Sequence, residues 1–234
     1  MKGLFVTGTD TGVGKTVIAG ALVAGLTQAQ FRVAPFKPVA AGCAGPPEAL
    51  RNEDALTLSA LSGRALAYDH VNPVALEPPI APHIAAAECG VRLSAADLAA
   101  LGRRLAGDKD VLVVEGAGGW LVPLEFPETM ADLAAALGLP VVLVVGMRLG
   151  CLNHALLTAR AVRASGLPLA GWVGNVIDPQ MPRLEQNLAT LSERLDSPCL
   201  GRVPVLEGEP GPGLSLAAFA HIDLDPLVSL LSKE

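Results

Sequence analysis

The stretch Gly8-Thr9-Asp10-Thr11-Gly12-Val13-Gly14-Lys15-Thr16, directly behind the apolar run Leu4-Phe5-Val6, decides the fold. It reads as a strand, a glycine-rich turn and a helix start. Turns of this kind point their backbone N–H groups inward, and the helix that follows presents the positive end of its dipole, so together they cradle phosphate. In that geometry Lys15 reaches the β- and γ-phosphates of a nucleotide and the Thr16 hydroxyl ligates Mg²⁺. The loop is one residue longer than the common pattern, because Gly8 stands six positions before Gly14. A glycine turn followed by a chance Gly-Lys-Thr is the alternative. The strand before it and the helical spacing of Val17, Ile18, Ala21, Leu22 and Leu26 after it favour nucleotide binding.

A chain of 234 residues fits one α/β domain, expected to span residues 1–234 as a P-loop NTPase-like unit. Apolar residues make up 51% of the sequence and aromatics only 3%, so the core must be built from Ala, Val, Leu and Ile, the usual filling of a parallel sheet covered by helices. A net charge of −6 without a basic cluster argues against nucleic acid or an anionic membrane as partner. Met1-Lys2-Gly3 leads straight into the first strand and no apolar run approaches the length of a membrane span, so no membrane association and a cytoplasmic location are expected. Cys43, Cys89, Cys151 and Cys199 are scattered, without a Cys-x-x-Cys pair, and suggest neither zinc nor a disulfide framework.

Apolar, β-branched runs alternate with helical patterns along the chain. After the first strand come Phe31-Arg32-Val33-Ala34-Pro35-Phe36, Val111-Leu112-Val113-Val114, Val141-Val142-Leu143-Val144-Val145 and Gly171-Trp172-Val173-Gly174, with a short edge near Cys199-Leu200. Amphipathic helices are predicted over residues 54–61, 94–105, 130–137, 152–164 and 183–195, with a helical tail over 224–231. Ser94, three residues before Asp97, reads as an N-cap. Residues 40–51 and 207–213 read as loops, and residues 72–90 as an irregular excursion rich in Pro and Ala. The alternation predicts right-handed crossovers and a mostly parallel β-sheet flanked by helices on both faces. Ligands bind such sheets outside the carboxyl ends of the strands, and each candidate below follows a strand end.

Glu115-Gly116-Ala117-Gly118-Gly119 follows the strand at Val114; an acidic residue there, beside a P-loop, is placed to hold Mg²⁺. Asp54, in Arg51-Asn52-Glu53-Asp54, is by spacing alone an acidic residue in a first helical turn, where the dipole favours it. Lys37 ends the second strand, where a lysine can neutralise charge developing in phosphoryl transfer. Gly150-Cys151-Leu152-Asn153 opens a helix and is either an anion site or an ordinary cap. The histidines, His83 and His154 among them, show no metal-ligand spacing and read as structural.

Together these motifs resemble the dethiobiotin synthetases, ATP-dependent enzymes of biotin biosynthesis. The resemblance is carried by Val6-Thr7-Gly8-Thr9-Asp10-Thr11, Val13-Gly14-Lys15-Thr16, Lys37-Pro38-Val39, Asn52 with Asp54, Val71-Asn72-Pro73, Pro82-His83-Ile84, Val114-Glu115-Gly116-Ala117-Gly118-Gly119, Leu149-Gly150-Cys151-Leu152-Asn153-His154, and Gly171-Trp172-Val173 with Asn175. It implies ATP-dependent carboxylation and ring closure of 7,8-diaminononanoate with CO₂ or bicarbonate, through a carbamate and its phosphoric anhydride. By resemblance, Lys37, Lys15 and Thr11 are catalytic, and Thr16, Asp54 and Glu115 hold Mg²⁺. The nucleotide is expected on Gly12, Val13, Gly14, Lys15, Thr16, Val17, Gly116, Ala117 and Gly118, with Asn175, Val176 and the backbone of Pro204, Val205 and Leu206 toward adenine. Ala41, Gly118, Gly150, Cys151, Leu152 and Asn153 are expected to bind substrate, the last four across a homodimer interface.

Three positions depart from the family pattern: Gly12 where an acidic residue is frequent, Ala41 where a hydroxyl residue is common, and Asn187 where a tyrosine can stand. They bear on substrate affinity, since the phosphate, metal and lysine positions are intact. The rival reading is a dimeric P-loop switch ATPase of the partitioning or cell-division kind. Those proteins carry a second lysine early in the loop, where this sequence has Asp10.

Overall fold

The computed structural model describes residues 1–233. Its centre is a six-stranded parallel sheet ordered β2-β5-β1-β6-β7-β8. The strands are β1 (Gly3–Gly8), β2 (Val33–Phe36), β5 (Val111–Gly119), β6 (Val141–Met147), β7 (Leu169–Val176) and β8 (Cys199–Val203). Helix α1 (Lys15–Gln28) crosses from β1 toward β2, and β5 sits between those two strands. From β6 onward the chain builds on the other side of β1, so the strand order reverses there. That reversal opens the crevice into which the glycine-rich loop projects.

Alternation along each strand feeds two separate cores. Leu4 and Val6, Val111 and Val113, and Val142 and Val144 pack into one core with α1. Phe5, Leu112 and Val114, and Leu143 and Val145 pack into the other. That second core is closed by α5 (Ala95–Ala106), α6 (Met130–Leu137) and α7 (Cys151–Ala164), with α8 (Leu184–Arg194) beside β7. A sheet covered on both faces accounts for the continuous Val/Leu runs. The Ser94 hydroxyl accepts the Asp97 N–H at 3.2 Å, as its spacing predicts.

Three stretches differ from the sequence expectation. Residues 40–51 are not wholly loop, because β3 (Val39–Ala41) pairs in parallel with β4 (Val74–Leu76) in a small second sheet. A helical turn, Pro47–Ala49, follows β3. Residues 72–90, expected to be irregular, supply β4 and helix α4 (Pro82–Glu88). Three-residue strands are too short to show a period, and α4 starts on proline behind Ala81, without a capping side chain. Helix α9 (Pro212–Phe219) likewise begins inside residues 207–213, on the proline of a Gly-Pro-Gly run that reads as a turn. Helices α2 (Glu53–Leu61), α3 (Tyr68–Val71) and α10 (Asp225–Ser232) complete the chain.

Candidate active site

The loop leaving β1 folds over the amino end of α1. Gly14 caps that helix at φ 88°, and a Cβ there would lie 2.2 Å from Asn175 Nδ2. Both conformation and crowding therefore require glycine. The crowding arises because Asn175 donates its amide to the Val13 carbonyl at 2.9 Å, bracing the loop from behind. Lys15 is buried, and its ammonium donates to the Asp10 carbonyl at 3.0 Å. Burial, then repulsion from Lys37, lowers its pKa to about 8.

Lys37 directly follows β2, Glu115 stands in the middle of β5, and Asp54 lies in the first turn of α2. Because β2 and β5 are neighbours, their ends converge: Lys37 Nζ donates to Glu115 Oε1 at 2.6 Å and reaches Asp54 Oδ2 at 2.9 Å. The Thr16 hydroxyl donates to the same Glu115 Oε1 at 2.9 Å. Burial alone would depress the Lys37 ammonium, but the two carboxylates outweigh it and hold its pKa above the usual lysine value. Burial likewise opposes the charge on Asp54, and Lys37 overcomes it, so that carboxyl sits below its usual range. Burial pushes the Glu115 carboxyl above its usual range, and the ammonium 2.6 Å away opposes that shift.

These residues also fit a hard divalent cation. Thr16, Asp54 and Glu115 offer oxygen donors only, which suits Mg²⁺, an ion that takes one or two carboxylates and completes its shell with water and phosphate. Glu115 Oε2 is buried without a hydrogen-bond partner, an acceptor left for a cation. Among the described residues no cluster of three or more His, Cys, Asp or Glu side chains forms an all-protein metal cage. If Asp54 holds the metal, Asp54→Asn is expected to raise the half-saturating Mg²⁺ concentration about tenfold, a loss of roughly 1.4 kcal/mol. A titration of turnover against Mg²⁺ at saturating ATP checks it, and an unchanged midpoint strikes the assignment.

The site opens on a cleft of about 750 Å³. It is lined by Thr11, Gly12, Gly14 to Val17, Lys37, Asp54 and Glu115, and by an apolar surface that includes Ala41, Ala117, Gly118 and the segment Pro79 to Pro82. Gly12 lines it at φ 74° with open space where a side chain would be. Val13 and Gly116 are buried behind this surface. Asn175 and Val176 at the end of β7, and Pro204, Val205 and Leu206 after β8, lie outside the cleft walls. Gly150, Cys151, Leu152 and Asn153 open α7 and line no part of the cleft either.

Sequence reading overlooked Arg148, whose guanidinium meets Asp10 at 2.6 Å and ties the loop before α7 to the glycine-rich loop. The two residues lie 138 positions apart, and only strand order brings them together. It also missed the apolar wall at Pro79, Ile80 and Ala81, read as irregular excursion.

The chain is similar to known proteins along most of its length. A family model described as an AAA domain matches residues 2–209. The chain is 57% identical over 228 residues, 97% of its length and 98% of the relative's, to the ATP-dependent dethiobiotin synthetase BioD of Pseudomonas paraeruginosa. It is 53% identical to the protein of the same name from Cellvibrio japonicus, over 97% of this chain and 98% of that one. Among solved structures, the septum site-determining protein MinD of Pyrococcus horikoshii, complexed with Mg-ADP, superposes with a TM-score of 0.56 at 15% identity, covering all of both chains. Chloroplast FtsY from Physcomitrella patens superposes at 0.53 and 17% identity over 99% of this chain and 65% of that one. At those identities the two structures share the fold alone.

Proposed function

We propose a reaction that starts from an established premise: the chain belongs to the ATP-dependent dethiobiotin synthetases, ligases of biotin biosynthesis. CO₂ adds to one amine of 7,8-diaminononanoate, which loses a proton, to give a carbamate. A carbamate oxygen attacks the γ-phosphorus of ATP, the bond to the β,γ-bridging oxygen breaks, and ADP leaves. The second amine then attacks the carbamoyl carbon, expels phosphate and closes the cyclic urea of dethiobiotin. The observation that carries this reading is the Lys37 ammonium, held by Glu115 and Asp54 where the phosphate-binding loop meets the apolar wall.

Carbamate and triphosphate are both anions, so their encounter needs preorganised positive charge. Lys15 neutralises the β- and γ-phosphates from below, and Lys37 faces the oxygens on which charge builds during transfer. Thr11 and the loop N–H groups hold the phosphates. Thr16, Asp54 and Glu115 would hold Mg²⁺, which supplies further charge neutralisation at the phosphates when bound. Ala41 offers the substrate only its backbone and methyl group, while Ala117, Gly118 and Pro79 to Pro82 shelter its aliphatic chain. The adenine end is assigned to Asn175, Val176 and the backbone of Pro204 to Leu206.

Gly150 to Asn153 are assigned to the substrate's distant carboxylate across a homodimer interface. Leu149 and Leu157, exposed at 88% and 56% on the same segment, suit burial there. No described helix is long and apolar enough to cross a membrane. With purified protein, ATP, Mg²⁺ and bicarbonate, phosphate release is expected only when the diamine is added, with one cyclic urea formed per phosphate. Diamine-independent ATP turnover would overturn this reading and favour a switch ATPase.

A further inference from the structure

We propose that Tyr68 and Asn72 are positioning residues for the reaction, forming a hydrogen-bonded strut that holds Lys37 and Asp54 against each other; this rests on the reading of Lys37 given above. The motif Val71-Asn72-Pro73 finds no use in the cleft, since neither Asn72 nor Tyr68 lines it. Asn72 is nevertheless buried, and its side chain is fully engaged. Its amide donates to the Lys37 carbonyl at 2.7 Å and to the Val74 carbonyl at 3.2 Å, and its Oδ1 accepts the Tyr68 hydroxyl at 2.9 Å. The Tyr68 oxygen in turn accepts the Asn52 N–H at 2.7 Å. Asn52 is the N-cap of α2, its Oδ1 taking the N–H groups of Asp54 and Ala55 at 3.1 and 3.3 Å.

A continuous chain of hydrogen bonds therefore runs from the backbone of Lys37 to the backbone of Asp54, and the salt bridge of 2.9 Å closes it into a ring. Each link is constrained independently. The Lys37 N–H is held by the Val71 carbonyl at 2.8 Å, so α3 grips this residue on both its backbone groups. Pro73 stops α3 at Asn72, because the residue before proline is driven out of the helical region. The Tyr68 ring lies beneath the Arg51 guanidinium, 4.2 Å from its centroid. Burial lifts the Tyr68 phenol above its usual range, which keeps its proton available to Asn72 at neutral pH. Tyr68 is also the sole tyrosine of the sequence.

A lysine that acts on developing charge must be placed to within a fraction of an ångström, and a displacement of about 1 Å costs roughly 10²-fold in rate. Without the strut, the direct tie between the Lys37 carbonyl and the amino end of α2 is lost, and their separation rests on packing and on the flexible side chains alone. Tyr68→Phe keeps the ring and its contact with Arg51 but removes the hydroxyl. Asn72→Asp keeps an acceptor for Tyr68 but loses the donor to Lys37.

Each variant is expected to lower kcat about tenfold, a fraction of that displacement limit, while the KM for ATP moves less than about twofold, since uniform binding is untouched. The rates are normalised to titrated ATP sites, so a partly folded preparation does not mimic the effect. In a Lys37→Gln background neither substitution is expected to lower kcat further. Wild-type kcat in both single variants, parallel changes in kcat and KM, or a full additional loss in the Lys37→Gln background would overturn the strut. Wild-type turnover in Lys37→Gln alone would overturn the reading of Lys37, and the strut with it, so the two failures are distinguishable.

Discussion

Lys37→Gln is expected to lower kcat by about 10²- to 10³-fold, the loss that follows removal of one preorganised charge stabiliser from a transition state, while the Kd for ATP changes little. The separation of the two effects comes from position. On the reading proposed above, phosphate binding in the ground state belongs to the loop amides, Lys15 and the amino end of α1. Lys37 lies beside them in the same cleft, already paired with Glu115 and Asp54 before any ligand arrives. A cation balanced in this way adds little to the pull on resting ATP. It becomes valuable as charge spreads over the transferring oxygens, and interactions gained only then appear in kcat. Glutamine retains a donor for Glu115 and approximates the lysine volume, so the cleft is disturbed least. Single-turnover phosphate release and an ATP titration on the same preparation separate the two constants. Equal losses in both would make Lys37 a binding residue.

Lys37 in contact with two carboxylates, and Lys15 close by on the Asp10 carbonyl, leave the unliganded site close to neutral. That balance explains how a chain of net charge −6 keeps two buried lysines near each other. Burial and then the neighbouring Lys37 depress Lys15, and the carboxylates partly offset both.

The fold was largely legible because its elements obey simple periods. Leu4-Phe5-Val6 and Val141 to Val145 alternate between two cores, and Val17, Ile18, Ala21, Leu22 and Leu26 share a helix face. What escaped was short: β3, β4 and α4 lack the length or the caps that make a local signal. In the site, the phosphate loop declared itself because its residues are contiguous. Lys37, Asp54 and Glu115 could be grouped by resemblance, but only the adjacency of β2 and β5 explains why they touch. Tyr68 and Arg148 were invisible for the same reason, and Asn72 entered only within the motif Val71-Asn72-Pro73, since each acts on a partner fixed by topology. Asn175, expected toward adenine, also donates its amide to the Val13 carbonyl.

Glu115→Gln is expected to destabilise the protein by about 3 kcal/mol at pH 7, the lower end of the cost of breaking a buried ion pair. Against a typical total of roughly 5–15 kcal/mol this is a large loss. The substitution keeps the side-chain shape and an acceptor for Thr16, so the change isolates charge. Lys37 is left buried with Asp54 alone, whose carboxylate is 39% exposed and screened by water. Desolvation, the largest single influence on Lys37, then outweighs attraction, and its pKa is expected below the ordinary 10.5. The sign of the pH dependence follows. In wild type the folded pKa is raised, so the stability this lysine contributes is present below 10.5 and is lost only as pH climbs through the folded value. In the variant the unfolded chain binds the proton more tightly than the folded one, so stability rises with pH between the lowered value and 10.5. The gap between the two proteins should therefore narrow from pH 7 toward pH 10. Urea unfolding across that range, with equal m-values confirming comparable unfolded states, reads it directly. A gap that is small at pH 7, or that stays constant to pH 10, would mean that Glu115 does not hold the charge of Lys37 in the folded protein.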